Sequence, residues 1–284
     1  MSEVRYEVRD RIAEIVLDRP PVNALSLELI EGVIAAFRRA AADDTVRAVL
    51  LSSANPKVFC AGLDLDIVKG KPGREMRRFL ERLYVEYSDV QYRLGKPSIA
   101  AVAGAARAGG MTLAVSCDMI VAGDTATFGY PEIDVGIIPA IHFVLLPKII
   151  GRHRAFELLF GGEPFPAARA EALGLINRVV PADRVLEEAR GLAQKMAAKA
   201  PSVVRFGRNA FNRANALDLH RSIEDVADAL AAVADLRVTS GTRILLHGIS
   251  HSSETAPKTM NTGRQPTRDI IIPPINVPTA GPTR

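Results

Sequence analysis

Apolar positions near the start fall into two short runs, Tyr6–Arg9 and Ile12–Leu17, which predict two strands joined by a turn at Arg9–Asp10–Arg11. Pro20–Pro21–Val22–Asn23 breaks that pattern. Ser26 then stands where a helix N-cap belongs, ahead of Ile30, Val33, Ile34, Phe37 and Ala41 at helical spacing. Val46–Leu51 is a compact apolar strand, and the small-residue stretch 52–65, SSANPKVFCAGLDL, reads as a loop. Arg74–Leu94 predicts one long amphipathic helix with Met76, Phe79, Leu80, Leu83, Tyr87, Val90 and Leu94 on its apolar stripe, stopped at Lys96–Pro97.

The alternation then continues. Ile99–Val102 is strand-like, a turn runs from Gly104 to Gly110, and Met111–Ser116 is helical. Asp118–Ala122 and Thr125–Phe128 are expected as strands, with helices near Phe143–Ile150 and Arg154–Phe160 and a helix–strand unit over Ala167–Val180. Strands interleaved with helices place residues 1–184 in an α/β core. Residues 185–236 are nearly all helix formers, broken once at Ala200–Pro201, and are expected as a separate helical layer. Residues 237–284 hold no sustained period, and six of the chain's 18 prolines fall in the last 28 residues. That composition predicts a mobile or loosely docked tail.

Charge sharpens the division. The chain of 284 residues carries 36 basic and 32 acidic side chains. The tail from Arg237 holds six of the bases and two of the acids, leaving thirty of each sign in the body. A neutral body argues against recognition of a nucleic-acid backbone, which needs clustered positive surface. An apolar fraction of 48% excludes disorder throughout. No run reaches the roughly 18 uncharged residues of a membrane helix, and the N-terminus lacks the apolar stretch of a signal peptide. Cys60 and Cys117 alone make neither a disulfide framework nor a four-ligand zinc site, so a reducing cytoplasm is the expected setting.

Three patches carry candidate chemistry. Phe59–Cys60–Ala61–Gly62–Leu63–Asp64–Leu65 and Ala108–Gly109–Gly110–Met111 are glycine turns after strands, each leading into a helix whose first N–H groups lack partners. Two such N–H groups converging on one point form an oxyanion hole. Glu132 stands among Phe128, Tyr130, Ile133, Val135 and Ile137, where burial would raise its pKa and suit it to proton transfer. The five histidines show no metal-ligand spacing, and neither a Gly-x-Ser-x-Gly elbow nor a phosphate-binding loop is present. No metal site is expected.

Taken in order, DRPPVNALS (18–26), VFCAGLDL (58–65), AGGMTLAVSCDMIVAGDTATFGYPEIDVGIIP (108–139) and ALGLINRVVP (172–181) resemble the crotonase superfamily, the enoyl-CoA hydratase/isomerase family, over about residues 5–236. The resemblance implies a spiral of β–β–α turns with C-terminal helices that assemble a homotrimer or a dimer of trimers. It also implies an acyl-CoA thioester as substrate, with no cofactor beyond the coenzyme A the substrate carries. Position by position it makes the N–H groups of Leu63 and Gly109 the oxyanion donors and Glu132 the base. Ala61, Gly62, Leu63, Asp64 and Leu65 would line the bend of coenzyme A, with Arg19 near its phosphates.

Three positions depart from the hydratase pattern. Thr112 stands where hydratases carry a first glutamate, Ala140–Ile141–His142–Phe143 replaces a Gly–Gly-containing turn, and the family ending is lost after about Leu236. Adding water uses two carboxylates, whereas one suffices to move a proton from C2 to C4. The isomerase branch is therefore expected. Hydration with Glu132 and a second group, Asp134 among the candidates, is the alternative, and an RNA-binding or catalytically silent relative is the reading from another class.

Overall fold

The computed structural model describes residues 3–64, 67 and 73–215. Leu65 of the coenzyme A stretch, residues 216–236 of the helical layer and the whole 237–284 tail lie outside them.

The chain opens with the hairpin β1 (Val4–Arg9) and β2 (Ile12–Leu17), turning on Asp10 and Arg11, both at positive φ. A primed turn of this kind matches the twist of the flanking strands. Ser26 caps α1 (Leu27–Ala42) by accepting the Leu29 N–H at 3.0 Å, and Ile30, Val33, Ile34 and Phe37 are buried as their spacing predicts. β3 covers Ala48–Ser53, two residues beyond the expected strand. Val46 instead closes the turn after α1 by donating its N–H to Asp43 O.

The long helix of 74–94 is continuous in span but irregular inside. α2 (Gly73–Leu80) and α3 (Tyr87–Arg93) flank one wider π turn, Glu81–Glu86, which turns both Leu83 and Tyr84 inward. Single π turns of this kind are common where a helix borders a functional site.

From β3 onward the chain repeats a step: one strand in a large sheet, one short strand in a second sheet, then a helix. β3 is followed by β4 (Val58–Cys60), β5 (Ser98–Val102) by β6 (Ala105–Arg107) and α4 (Gly109–Val115), and β7 (Met119–Gly123) by β8 (Thr127–Gly129). α5 (His142–Ile150), α6 (Arg152–Gly161), β9 (Phe165–Pro166), α7 (Ala167–Ala172) and β10 (Arg178–Val180) complete the core. The large sheet runs β1-β2-β3-β5-β7-β10 and is parallel from β2 onward; the small one runs β4-β6-β8-β9.

β4 and β6 correct the expected loops at 52–65 and 104–110. Each spans three residues, too few to show alternation, and β6 is built partly from alanines. Both faces of the large sheet are covered, as parallel sheets require. Val49, Leu51, Ala100 and Val102 face α1 and the π-turn helix, while Ala48, Leu50, Ile99 and Ala101 face α8 (Val185–Ala197) through Val185, Ala189, Leu192 and Ala193. The predicted break follows, and α9 (Pro201–Asn215) is tied to the core where Arg208 bonds Asp118 Oδ2, Gln91 O and Tyr92 O.

Candidate active site

The segment 61–64 runs beside 22–25 as an isolated parallel bridge between Leu25 and Leu63. Leu25 donates its N–H to Gly62 O at 2.7 Å, and Asp64 donates to Leu25 O at 3.0 Å. A parallel bridge uses the neighbours of its central residue, so the N–H of Leu63 itself faces the opposite side, where it meets no acceptor among the described residues. Asn23 fastens this arrangement. It sits at φ 51°, and its Nδ2 donates to Ser53 Oγ and Phe59 O.

On that open side lies the turn into α4. A Cβ on Gly62 would stand 2.6 Å from Ala108 Cβ and 3.5 Å from Gly109 N. A Cβ on Gly110 would stand 2.5 Å from Cys60 O. The two glycine turns therefore touch, and only glycine permits it. Ala108 holds φ 50°, ψ −118°, a conformation costly for a residue with a side chain. The N–H of Gly109, first of its helix, is left without an acceptor among the described residues. Two unpaired amides thus stand on adjoining turns.

Glu132 rides on the 3-10 turn Pro131–Val135, which follows β8 and is closed where Ile137 donates to Glu132 O. Its Oε2 is buried and has no hydrogen-bond partner among the described residues. Burial pushes the carboxyl up to about 7, against only a small opposing effect of its own backbone. The π turn borders both the α4 turn and Glu132. Leu83 Cδ2 lies 3.3 Å from where a Cβ on Gly109 would be, and the adjacent Tyr84 feels both the Glu132 charge and the Ile141 backbone. Burial first, and then that charge, raise the Tyr84 hydroxyl.

Thr112, one helical turn after Gly109, is buried with Oγ1 3.2 Å from His142 Nε2, and His142 Nδ1 lies 3.3 Å from Tyr130 Oη. Burial pulls His142 down to about 3, so the ring is neutral at any physiological pH. Ile141, the residue before it, is fully buried.

The other expected residues fall as follows. Arg19 reaches Asp64 Oδ2 at 2.7 Å, but it also donates to Glu3 Oε1 and Ala24 O, so its guanidinium buttresses the loop. Ala61 is exposed and Gly62 is buried. Asp134 is exposed and lies against Gly162. Cys60 and Cys117 are free, buried thiols that burial raises to about 12, which makes both inert. Tyr84 and Asn23 escaped the sequence reading. Asn23 followed a turn signal already noted, whereas nothing in the sequence marks the π turn that brings Tyr84 inward. Among the described residues no group of histidine, cysteine and acidic side chains could hold a metal ion, and no helix is long and apolar enough to cross a membrane.

A family model described as enoyl-CoA hydratase/isomerase matches residues 7–238. The chain belongs to this family. It is 36% identical over 218 residues to a probable enoyl-CoA hydratase of Rhizobium meliloti, covering 75% of this chain and 82% of that one. It is 34% identical over 223 residues to an enoyl-CoA isomerase/hydratase of Mycosarcoma maydis, covering 75% and 81%. A crystal structure of a probable enoyl-CoA hydratase from Mycobacterium smegmatis superposes with a TM-score of 0.76 at 33% identity, covering 85% of this chain and 98% of that one. The fold is the crotonase fold.

Proposed function

We propose that this enzyme shifts the double bond of an enoyl-CoA thioester from the 3- to the 2-position, with Glu132 as its one acid–base group. The observation that carries this reading is the asymmetry of the site. One carboxylate, its Oε2 buried and without a hydrogen-bond partner among the described residues, stands on the β8 side, and the neutral Thr112–His142 pair fills the α4 side. A threonine hydroxyl has no useful basicity near neutral pH, and the buried histidine is pulled far below it. Asp134, the acid weighed as a second group, is exposed.

The steps follow from these residues. The thioester oxygen accepts the Leu63 and Gly109 N–H groups, each typically worth roughly 2.7–4 kcal/mol of barrier. The ionised Glu132 takes a proton from C2 while the C2–H electron pair enters the conjugated enolate, whose negative oxygen the two amides hold. Glu132 then returns the proton to C4, the double bond settles between C2 and C3, and the carboxylate is regenerated. Coenzyme A would bend along Ala61–Leu65, with Arg19 fixing that loop through Asp64.

The helical region fits assembly as a homotrimer or a dimer of trimers, because α9 presents Val203, Phe206 and Phe211, each about 70% exposed. Hydration remains the competing reading, since several relatives are named hydratases. Incubation with a 3-enoyl-CoA, followed by product mass and the appearance of conjugated thioester absorbance, tests the proposal. Conversion without change of mass, lost in Glu132→Gln, is expected. Glu132→Gln with near-normal turnover overturns it.

A further inference from the structure

We propose that His142 is a positioning residue: through Thr112 and Tyr130 it forms a buried strut that sets the α4 amide and the Glu132 carboxylate at their working separation. This rests on the reading of Glu132 as the base. It adds a residue that touches neither the substrate nor the reacting atoms.

The argument begins with connectivity. α4 starts at Gly109, whose N–H is open, and carries Thr112 one turn later. Tyr130 is the residue on which the Glu132 turn begins. Along the chain, Gly109 and Glu132 are separated by all of α4, β7 and β8, but β6 pairs with β8 and Ala108 donates its N–H to Gly129 O at 3.1 Å, which fixes the strand ends just before the α4 amide and before Tyr130. A side-chain route adds a second tie, one helical turn into α4. Thr112 Oγ1 is 3.2 Å from His142 Nε2, and His142 Nδ1 is 3.3 Å from Tyr130 Oη. The Tyr130 and His142 rings also pack at 4.6 Å between centroids. Thr112, Tyr130 and His142 are each no more than 1% exposed.

Chemistry then restricts the strut to this state. Burial pulls the His142 ring down to about 3 and raises the Tyr130 hydroxyl well above 10, the latter helped by the charge of Glu132. All three side chains are thus uncharged when the base is ionised. A neutral imidazole has one donor and one acceptor nitrogen, the pattern needed to bridge two hydroxyls in either tautomer. No charged side chain among the described residues perturbs His142, and Tyr84 and Tyr130 are the titratable groups that feel Glu132. The strut can therefore hold the carboxylate in place without neutralising it. An ion pair would hold it equally well, but would lower its pKa and weaken the base.

The position of α5 supports the same conclusion. His142 is its first residue, in a helix whose start, Ile141–His142, is wholly buried between α4 and the Glu132 turn. A histidine there is costly to bury without partners, and both ring nitrogens have one.

The test compares His142→Leu and His142→Gln in the full chain, assayed on whichever product the parent enzyme forms, with Glu132→Gln as a control. A misplacement of about 1 Å costs on the order of 10²-fold. His142→Leu is therefore expected to lose about 10²-fold in kcat with KM little changed. His142→Gln, whose amide offers a donor and an acceptor at comparable spacing, is expected to recover most of that loss. The single hydroxyl deletions Thr112→Val and Tyr130→Phe are each expected to cost part of it, and adding either to His142→Leu nothing more. These two variants keep shape and volume and carry the test if His142→Leu does not fold. A folded His142→Leu with parental kcat overturns the strut, as do equal losses in the Leu and Gln variants. So does full kcat in both hydroxyl deletions. Activity surviving in Glu132→Gln would instead overturn the base assignment, so the two failures are distinguishable.

Discussion

Two glutamates, Glu14 buried and Glu132 half-buried, show how differently this molecule treats its two ends. Glu14 lies on β2 under α8 and is held by Arg190 through two bonds of 2.6 and 2.7 Å. Glu132 lies on the far side of the core and its Oε2 has no partner among the described residues. Around Glu14 the apolar residues of β3, β5 and α8 interlock and the charge is matched. Around Glu132 the chain tolerates a strained alanine, two amides without acceptors and a carboxylate pushed up to about 7. A matched carboxylate steadies a structure. An unmatched one costs stability, and such groups cluster at functional sites.

The largest effect that separates the two regions is catalytic. Glu132→Gln is expected to lower kcat by about 10²–10⁴-fold, as for a positioned base. Glu14→Gln is expected to leave kcat per folded molecule unchanged. Turnover of both variants on one substrate checks this, and equal losses would erase the contrast.

Stability is expected to respond in the opposite sense. Arg190→Met strands Glu14, and a buried acceptor left without its partner costs about 1–3 kcal/mol, so denaturant unfolding is expected to show a loss in this range. Glycine substitutions sharpen the same division. Gly110→Ala forces a Cβ to 2.5 Å from Cys60 O, a backbone atom, and is expected to cost about 1–3 kcal/mol and displace the Gly109 amide. Gly191→Ala, inside α8 with nothing within 4 Å of the new Cβ, is expected to stabilise by about 0.5–1 kcal/mol.

A smaller effect appears in the pH dependence. Glu132 rises from 4.5 to about 7 on folding. The folded chain thus keeps a proton that the unfolded chain has already released. Stability from this group is full below 4.5 and is lost as pH rises through 7. Activity runs the other way and is expected to climb through about 7 as the base ionises. Unfolding and kcat followed from pH 5 to 8 check both slopes. Glu132→Gln is expected to remove the stability slope, whereas Glu14→Gln leaves it in place.

Where the sequence was legible and where it was not follows the same physics. Helices announced themselves through caps and long periods: Ser26 starts α1, and the stripe from Met76 to Leu94 is buried throughout. The hairpin and β3, β5 and β7 were readable because they are runs of five or six residues, alternating or apolar, bounded by turns, whereas three-residue β10 was legible only as the end of a helix–strand unit. β4, β6 and β9 were not, since strands of two or three residues have no period to detect, and what holds them is pairing with neighbours distant in sequence. Of the candidate site residues, Leu63, Gly109 and Glu132 are nominated from motifs, and the apolar setting of Glu132 could be read from its neighbours. Tyr84 depends on one wider helical turn, and the link from Thr112 through His142 to Tyr130 depends on three elements meeting. Neither leaves a trace in local sequence.

The most direct measurement of the central claim, one unpaired carboxylate working beside two open amides, is the fate of a 3-enoyl-CoA in isotopically labelled water. The account predicts 2-enoyl-CoA as the main product, with no oxygen taken from solvent and with turnover lowered about 10²–10⁴-fold in Glu132→Gln. A main product carrying solvent oxygen at C3 would contradict it, because that reaction requires a second group to activate water.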